Sequence, residues 1–452
     1  MFVKFDSIHM RASITTGHKC AIASLACALL LPGCGSSEAA GDFAWAINVG
    51  GEAYETMDGT RFEQESSVTR GTVGSIETIK GSQDSFLYES YREGDIEVNH
   101  PIPNGTYDIT FHFAEPDEIG QGERVFDVYA EGGRVIGDLD VVLFRDKKTV
   151  SALTVTVPDV VVDDGELNIH FAASVNEPIL SALLVRTRRP VSKSWELVWS
   201  DEFDGDELDT SSWSHNVWKP RKVNDEDQAY TARPENVRVE DGMLVIEAHK
   251  EDYDGASYTS GRIHTSGKRD FLYGRFEARA KLPGGQGTWP AIWMLPSDPF
   301  TYATTCEGIE DWQGHDDCDA WPNSGEIDIM EHVGYQEDHI HGTVHTRAYY
   351  WKMWEQRKGR ILIDGATENF HVYALEWTPE RIDIFVDDAH YFTYVNEGKT
   401  WREWPFDEPF HWILNIAVGG VWGRSGGPID DSIFPQRMYI DWVRVYEDTS
   451  AN

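Results

Sequence analysis

Residues 325–334 read GEIDIMEHVG, and the spacing of their acids decides how the chain must fold around them. Glu326, Ile327, Asp328 and Ile329 alternate acid and apolar, which is the period of a strand with one wet and one dry face. Continued strictly, the alternation sends Glu331 to the isoleucine face. A lone carboxylate buried there is costly or takes up a proton. A regular strand therefore cannot serve all three acids.

The 452 residues around this stretch are 40% hydrophobic and carry 39 basic against 77 acidic side chains, a net charge of -38. That length supports two or three domains with sizeable cores. The acidic balance disfavours nucleic acid and other polyanions, because no basic excess meets their charge. Lys4, Arg11 and Lys19 precede the apolar run CAIASLACALLLPGC, which is too short for a comfortable membrane span and suits an export signal. Met10 is a second possible start. LPGC with Cys34 resembles a bacterial lipobox, which implies a signal over 1–33, a lipid on Cys34 and a tether over 34–41. An ordinary signal with an incidental cysteine is the alternative. Beyond Cys34 only Cys306 and Cys318 remain, twelve residues apart in a polar segment, and an exported pair of this kind is expected to close a loop, with two unpaired thiols the alternative.

Tryptophan divides the chain. Only Trp45 precedes residue 190, and the other 16 of 17 follow it. The basic junction VRTRRPVSKSW reads as a linker. Neither half shows a long 3.6-residue apolar period. Short runs such as TYDITFHFAE, ERVFDVYA, RIDIFVDD and YIDWVRVY dominate, separated by Gly, Asp, Asn and Pro. Both halves, 42–189 and 190–452, therefore read as all-β sandwiches.

In the first half INVGG, DGTRF, YESYREGDIEV, PIPNGTYDITFHFAE, RVFDVYAEG and DGELNIHF occur in the order of the malectin domain, which this half resembles. The resemblance implies a β-sandwich able to bind glucose-containing oligosaccharides. Phe111, Phe113 and Phe126 read as core. The place that holds sugar-clasping aromatics in that family holds Pro116, Asp117 and Glu118 here, which leaves Tyr88 and Tyr91 as aromatic candidates. Sugar binding and a spacer role both stay open, and this half is expected to be dispensable for cutting soluble chains.

The second half holds ELVWSDEFDG, YTSGRIHTSGK, GTWPAIWM, GEIDIMEHVG, HGTVH, LNIAVGG and YIDWVRVY. This succession resembles glycoside hydrolase family 16, and best its laminarinase-type endo-β-1,3-glucanases. The resemblance implies a β-jelly roll with a concave catalytic cleft. One extra residue near Ile329 and Met330, a β-bulge, then resets the alternation and turns all three acids to one face. The resemblance assigns Glu326 as nucleophile and Glu331 as acid/base of a retaining hydrolysis, with Asp328 as helper between them. It places Trp289 and Trp293 in substrate subsites, with Trp422 of VGGVWGRSGG a further cleft candidate. Core packing is the alternative for the tryptophans. His341 and His345 share a strand face; a metal pair is conceivable but no third ligand follows at metal-like spacing, and His345 is read as a polar contact beside the acids.

The resemblance also implies a structural calcium away from the cleft, for which Glu202 and Asp441 are candidate ligands in the matching elements SDEFDG and IDWVRVY. Catalysis needs no cofactor. The expected partner is a β-glucan, with the membrane reached only through the lipid and the protein a monomer. Mixed-linkage β-glucans and agar- or carrageenan-type galactans are rival substrates, the latter because Lys219, Arg221 and Lys222 supply local positive charge. A surface glycan-binding protein is the rival outside catalysis; loss of a catalytic acid would mark it, and all three acids are present.

Overall fold

Alternation along single strands carries the architecture. In Val125–Ala130, Phe126, Val128 and Ala130 are buried while Val125, Asp127 and Tyr129 are partly exposed, as a half-buried strand requires. The computed structural model describes residues 42–187 and 195–449. The export signal, the tether, Cys34 and most of the basic linker lie outside the described residues.

The N-terminal sandwich contributes β1 (Gly105–Phe113), β2 (Leu153–Val162) and β3 (Ala182–Thr187) to one sheet, in the order β2-β1-β3. A second sheet built on Val125–Ala130 and Glu166–Val175 packs over it. Phe111, Phe113 and Phe126 are fully buried between the two, with Ile109, Val155 and Phe171.

The C-terminal sandwich has its own core, with Phe276, Trp377, Trp412 and Ile440 among its members. Its cleft-bearing sheet runs β4 (Arg262–His264), β9 (Phe410–Val418), β5 (Thr288–Pro296), β6 (Glu326–Glu331), β7 (His339–His345) and β8 (Arg357–Leu362). The opposing sheet is centred on Gly274–Lys281 and Gln436–Asp448. Among the described residues the α-helices are three single turns: α1 (Val141–Phe144), α2 (Ala320–Asn323) and α3 (Gly420–Gly423).

The two sandwiches meet edge to edge. β2 runs parallel to β8 through the pair Thr156 and Ile361, so the cleft-bearing sheet continues into the N-terminal sandwich. Leu362 of β8 packs on the N-terminal core. Gln83 acts as a peptide group, donating to the Val395 carbonyl at 2.9 Å and accepting from the Val395 amide at 3.0 Å. An open strand edge is thereby covered rather than left to pair elsewhere.

Of the two aromatic candidates in the first half, one is withdrawn from solvent. Tyr88 is buried at 3% exposure, and its hydroxyl meets Nδ1 of His112 at 3.0 Å. It is a core residue and is corrected here as a sugar contact; alternation along one sequence could not reveal that its short helical turn faces inward. Tyr91 is half-buried and packs against the same cores. Asp117 is turned onto Arg124 at 2.8 Å, and that guanidinium also holds the fully buried Glu115 at 2.8 Å.

Candidate active site

The register of β6 answers the question its acids pose. Against β7, Glu326 pairs with His345, Asp328 with Thr343 and Glu331 with His341. Three steps along β6 therefore match two along β7. Against β5, Met330 pairs with Ile292 and Asp328 with Trp293, which leaves Ile329 without a partner. Ile329 is the bulge. Ile327, Ile329 and Met330 all enter the core at 0% exposure, and Glu326, Asp328 and Glu331 all face the cleft.

Each outer acid is held by an indole. Nε1 of Trp321, on α2, donates to Oε2 of Glu326 at 3.0 Å. Nε1 of Trp289, on β5, donates to Oε1 of Glu331 at 3.1 Å, and the Thr343 hydroxyl reaches the other oxygen at 3.4 Å. Nε2 of His345 lies 3.7 Å from Glu326 and 3.6 Å from Asp328.

Crowding governs protonation. Burial, and then the charge of Glu331, pushes the Glu326 carboxyl up, while Trp321 and Arg262 pull it back. Burial and the charges of Glu326 and Glu331 hold Asp328 well above the usual carboxylate range. Burial raises Glu331 against the ammonium of Lys358 and the indole of Trp289. Three buried acids this close cannot all ionise, and their titration belongs to the group. A proton on Asp328 favours the anion of Glu326. Burial drives His345 down to about 3, so its ring is neutral.

Aromatic rings flank the trio. Trp289 and Trp422 meet edge to face at 5.5 Å, and Trp422 meets His341 at 5.0 Å. Trp293 donates to Asn415 at 2.7 Å, with the Arg262 guanidinium 4.7 Å from its ring centre. Asn415 continues to the Tyr230 hydroxyl at 3.2 Å, which donates to the buried Glu226 at 3.1 Å. This polar chain fixes the plane of Trp293. Trp289, Trp293, Trp422 and His345 are thus all gathered around the acids, and the three indoles remain partly exposed.

Other expected residues lie elsewhere. Among the described residues one group could hold a metal ion, Glu326, Asp328 and His345, with donor atoms within 4.8 Å of one another; these are the acids and histidine of the trio itself. His341 is engaged by Gln336 at 3.2 Å and Arg360 at 3.4 Å, so it does not join His345 on a metal. Glu202 accepts two bonds from Arg444 at 3.0 and 2.9 Å, and Asp441 accepts from Arg279 at 2.5 Å. As arranged, these acids do not fit a calcium ion, which would have to displace both guanidinium groups. Lys222 is paired with Asp311 at 2.6 Å and Arg221 with Asp225 at 3.4 Å, so the basic stretch is largely neutralised. Cys306 and Cys318 form a disulfide in the loop leading to α2.

Trp321, Thr343, Lys358, Asn415 and Arg262 were missed by sequence reasoning. Three carried a signal: Asn415 is the polar residue inside the apolar run ILNIAV, and Arg262 and Thr343 sit in the quoted SGRIH and HGTVH. Trp321 and Lys358 carried none, because their approach depends on how loops and neighbouring strands return to β6.

The pattern of Glycosyl hydrolases family 16 matches residues 224–444, and that of the Malectin domain matches 43–183. A beta-glucanase of Rhodothermus marinus is 50% identical over 272 residues, 59% of this chain and 90% of the relative. The solved laminarinase of the same organism superposes with a TM-score of 0.53 at 49% identity, covering 57% of this chain and 100% of its own. SCLam, a non-specific endo-beta-1,3(4)-glucanase, gives a TM-score of 0.51 at 41% identity over 58% of this chain and 95% of its own.

Proposed function

The chain belongs to glycosyl hydrolase family 16, and on that premise we propose that it is a retaining endo-β-1,3-glucanase with Glu326 as nucleophile and Glu331 as acid/base. The observation that carries the reading is the bulge at Ile329, which sets three acids on one cleft face with an indole N–H on each outer one. The names of the similar proteins, a laminarinase and an endo-beta-1,3(4)-glucanase, support the substrate.

Glu326 attacks the anomeric carbon as Glu331 gives its proton to the departing sugar oxygen. The covalent glycosyl-enzyme is then opened by a water that Glu331 deprotonates. Asp328, protonated, keeps Glu326 ionised and aimed. Trp289, Trp293 and Trp422 offer apolar faces to the C–H faces of the sugars, and neutral His345 offers a polar edge beside the first two acids. Two carboxylates supply the chemistry, so no cofactor enters it.

The same reading makes the protein an exported monomer whose polysaccharide is met outside the cell and whose only membrane contact is a lipid on Cys34. The Cys306–Cys318 disulfide supports an oxidising compartment. Cys34→Ser should then release the chain from the membrane fraction; wild type already soluble after export refutes the anchor.

Product analysis on laminarin, lichenan, agarose and carrageenan, with NMR of the first anomer formed, tests the substrate and the stereochemistry. Short laminarin oligosaccharides released as the β-anomer are expected. Cleavage confined to a galactan, or an α-anomer first, overturns the reading.

A further inference from the structure

The loop after α1 in the N-terminal sandwich reaches the C-terminal cleft. Arg360, at 1% exposure, donates to the Phe144 carbonyl at 2.6 Å. The Phe144 ring meets His339 at 4.6 Å and lies 4.7 Å from the Arg360 guanidinium. The next residue after Arg145, Asp146, stands 3.8 Å from the ammonium of Lys358 and 3.5 Å from the guanidinium of Arg145, so its carboxylate lies between the two cations. Lys147 reaches past it to the Ser425 carbonyl, just beyond α3, at 3.3 Å. The loop therefore spans from β8 to the α3 segment, across one end of the cleft.

Lys358 is not a peripheral residue. It pairs across the strands with Thr343, which pairs in turn with Asp328. Its side chain is only 11% exposed, and its ammonium sits 4.1 Å from the centre of Trp422, the ring that packs on Trp289. A buried ammonium needs a counter-charge. The C-terminal sandwich supplies the trio, and the N-terminal loop supplies Asp146. Asp146 and Lys147 both adopt left-handed backbone, φ 58° and 62°, which non-glycine residues hold only where surroundings enforce it. The turn they make is what delivers the carboxylate into the cleft.

We propose that the N-terminal sandwich is a working part of the active site: Asp146 is a positioning residue that holds the Lys358 ammonium across the domain boundary and so sets how much of its charge falls on Glu331. This rests on the reading of Glu331 as the acid/base. Lys358 favours the anion of Glu331 and Asp146 favours its protonated form. The other charged or titratable groups facing this pair are Glu326 and Asp328 on β6, His341 and His345 on β7, Tyr335 in the turn between those strands, Arg360 on β8, and Arg145 and Lys148 on the loop. Both histidines are held neutral by burial. Burial pulls both arginines down, Arg360 to about 9, so they stay charged through the acidic and neutral range, and no variant below alters them. Lys358 itself titrates at about 8 and is charged through the acidic and neutral range. The laminarinase of Rhodothermus marinus aligns over its whole length on 57% of this chain, which leaves room for no such second domain there.

The test is the pH profile of kcat/KM on laminarin for the full chain. Asp146→Asn removes the anion that offsets the Lys358 charge at Glu331, so Glu331 gives up its proton more readily and the basic limb should move to lower pH by about half a unit, roughly a threefold loss on that limb. Asp146→Glu should restore the wild-type limb. Lys358→Met should move the limb the opposite way. Superimposable limbs, shifts of one sign in both variants, or a uniform loss at every pH overturn the proposal. If Asp146→Asn fails to fold, Asp146→Gly, which suits the left-handed backbone at φ 58° and also removes the charge, should lower the basic limb in its place, and an unmoved limb there overturns the proposal. Laminarin cleavage that survives Glu331→Ala refutes the acid/base reading instead, whatever the limbs do.

Discussion

The indole N–H of Trp321 reaches Oε2 of Glu326 at 3.0 Å from only five residues earlier in the chain. The short α2 turn folds the ring back over the strand that follows it, where it also meets His345 at 5.8 Å. The bond favours the ionised carboxylate, the form that attacks. Trp321→Phe keeps the ring and removes the donor. The proton affinity of Glu326 then rises, and the acidic limb of kcat/KM moves to higher pH. A bond to a charged group is worth about 1.5–3 kcal/mol, so the loss at low pH should be roughly tenfold or more. An acidic limb that stays in place refutes the role.

Trp289→Phe should move the other limb. Its indole favours the anion of Glu331, while the first step needs the acid. Loss of the donor raises the proton affinity of Glu331 and carries the basic limb to higher pH. The Trp289 ring also packs on Trp422, and the phenyl keeps only part of that face, so KM should rise as well. A basic limb that falls, with KM unchanged, contradicts both assignments.

The two glutamates should separate by rescue. Glu326→Gly should abolish hydrolysis of laminarin with the fold intact by circular dichroism. Given an α-glycosyl fluoride, whose leaving group needs no acid, the variant should join sugars with Glu331 as base. Glu331→Ala should still react with activated aryl glycosides, accumulate the glycosyl-enzyme and yield a β-glycosyl azide when azide is added. Rescue of Glu326→Gly by azide to a β-product would reverse the roles.

The disulfide should support Trp321 through its loop. Cys306 and Cys318 close a twelve-residue interval, and Asp319 next to it accepts from the Thr304 and Thr305 amides at 2.8 and 2.9 Å. Cys306→Ser with Cys318→Ser should cost about 3 kcal/mol by the chain-entropy argument, read as a lower melting temperature. Activity per folded molecule should fall less than in Trp321→Phe. Alkylation of both cysteines without reductant would show that the bond does not form.

Periodicity and local chemistry made much of this protein legible in one dimension. Short strands between turn residues announced two sandwiches, because the side-chain period of a strand is a property of the backbone. The acids of GEIDIMEHVG announced their own bulge, because no regular strand can satisfy the spacing of Glu326, Asp328 and Glu331. Cys306 and Cys318 were the two cysteines left beyond Cys34 to pair.

Tertiary structure alone decided who stands beside those acids. Trp321 arrives on a loop, Lys358 lies two strands away, and Asp146 comes from a different sandwich almost two hundred residues earlier. Such approaches depend on loop paths and strand order, which leave no period in the sequence. The same holds for Tyr88, buried where a sugar contact was expected, and for Glu202 and Asp441, claimed by Arg444 and Arg279. Which guanidinium meets each of these two acids is settled only when the strands that carry them pair. The N-terminal half looked dispensable in sequence, since nothing in Asp146 marks it as different from the other acids of an acidic chain. It is the edge-to-edge meeting of β2 and β8 that brings its carboxylate to the cleft.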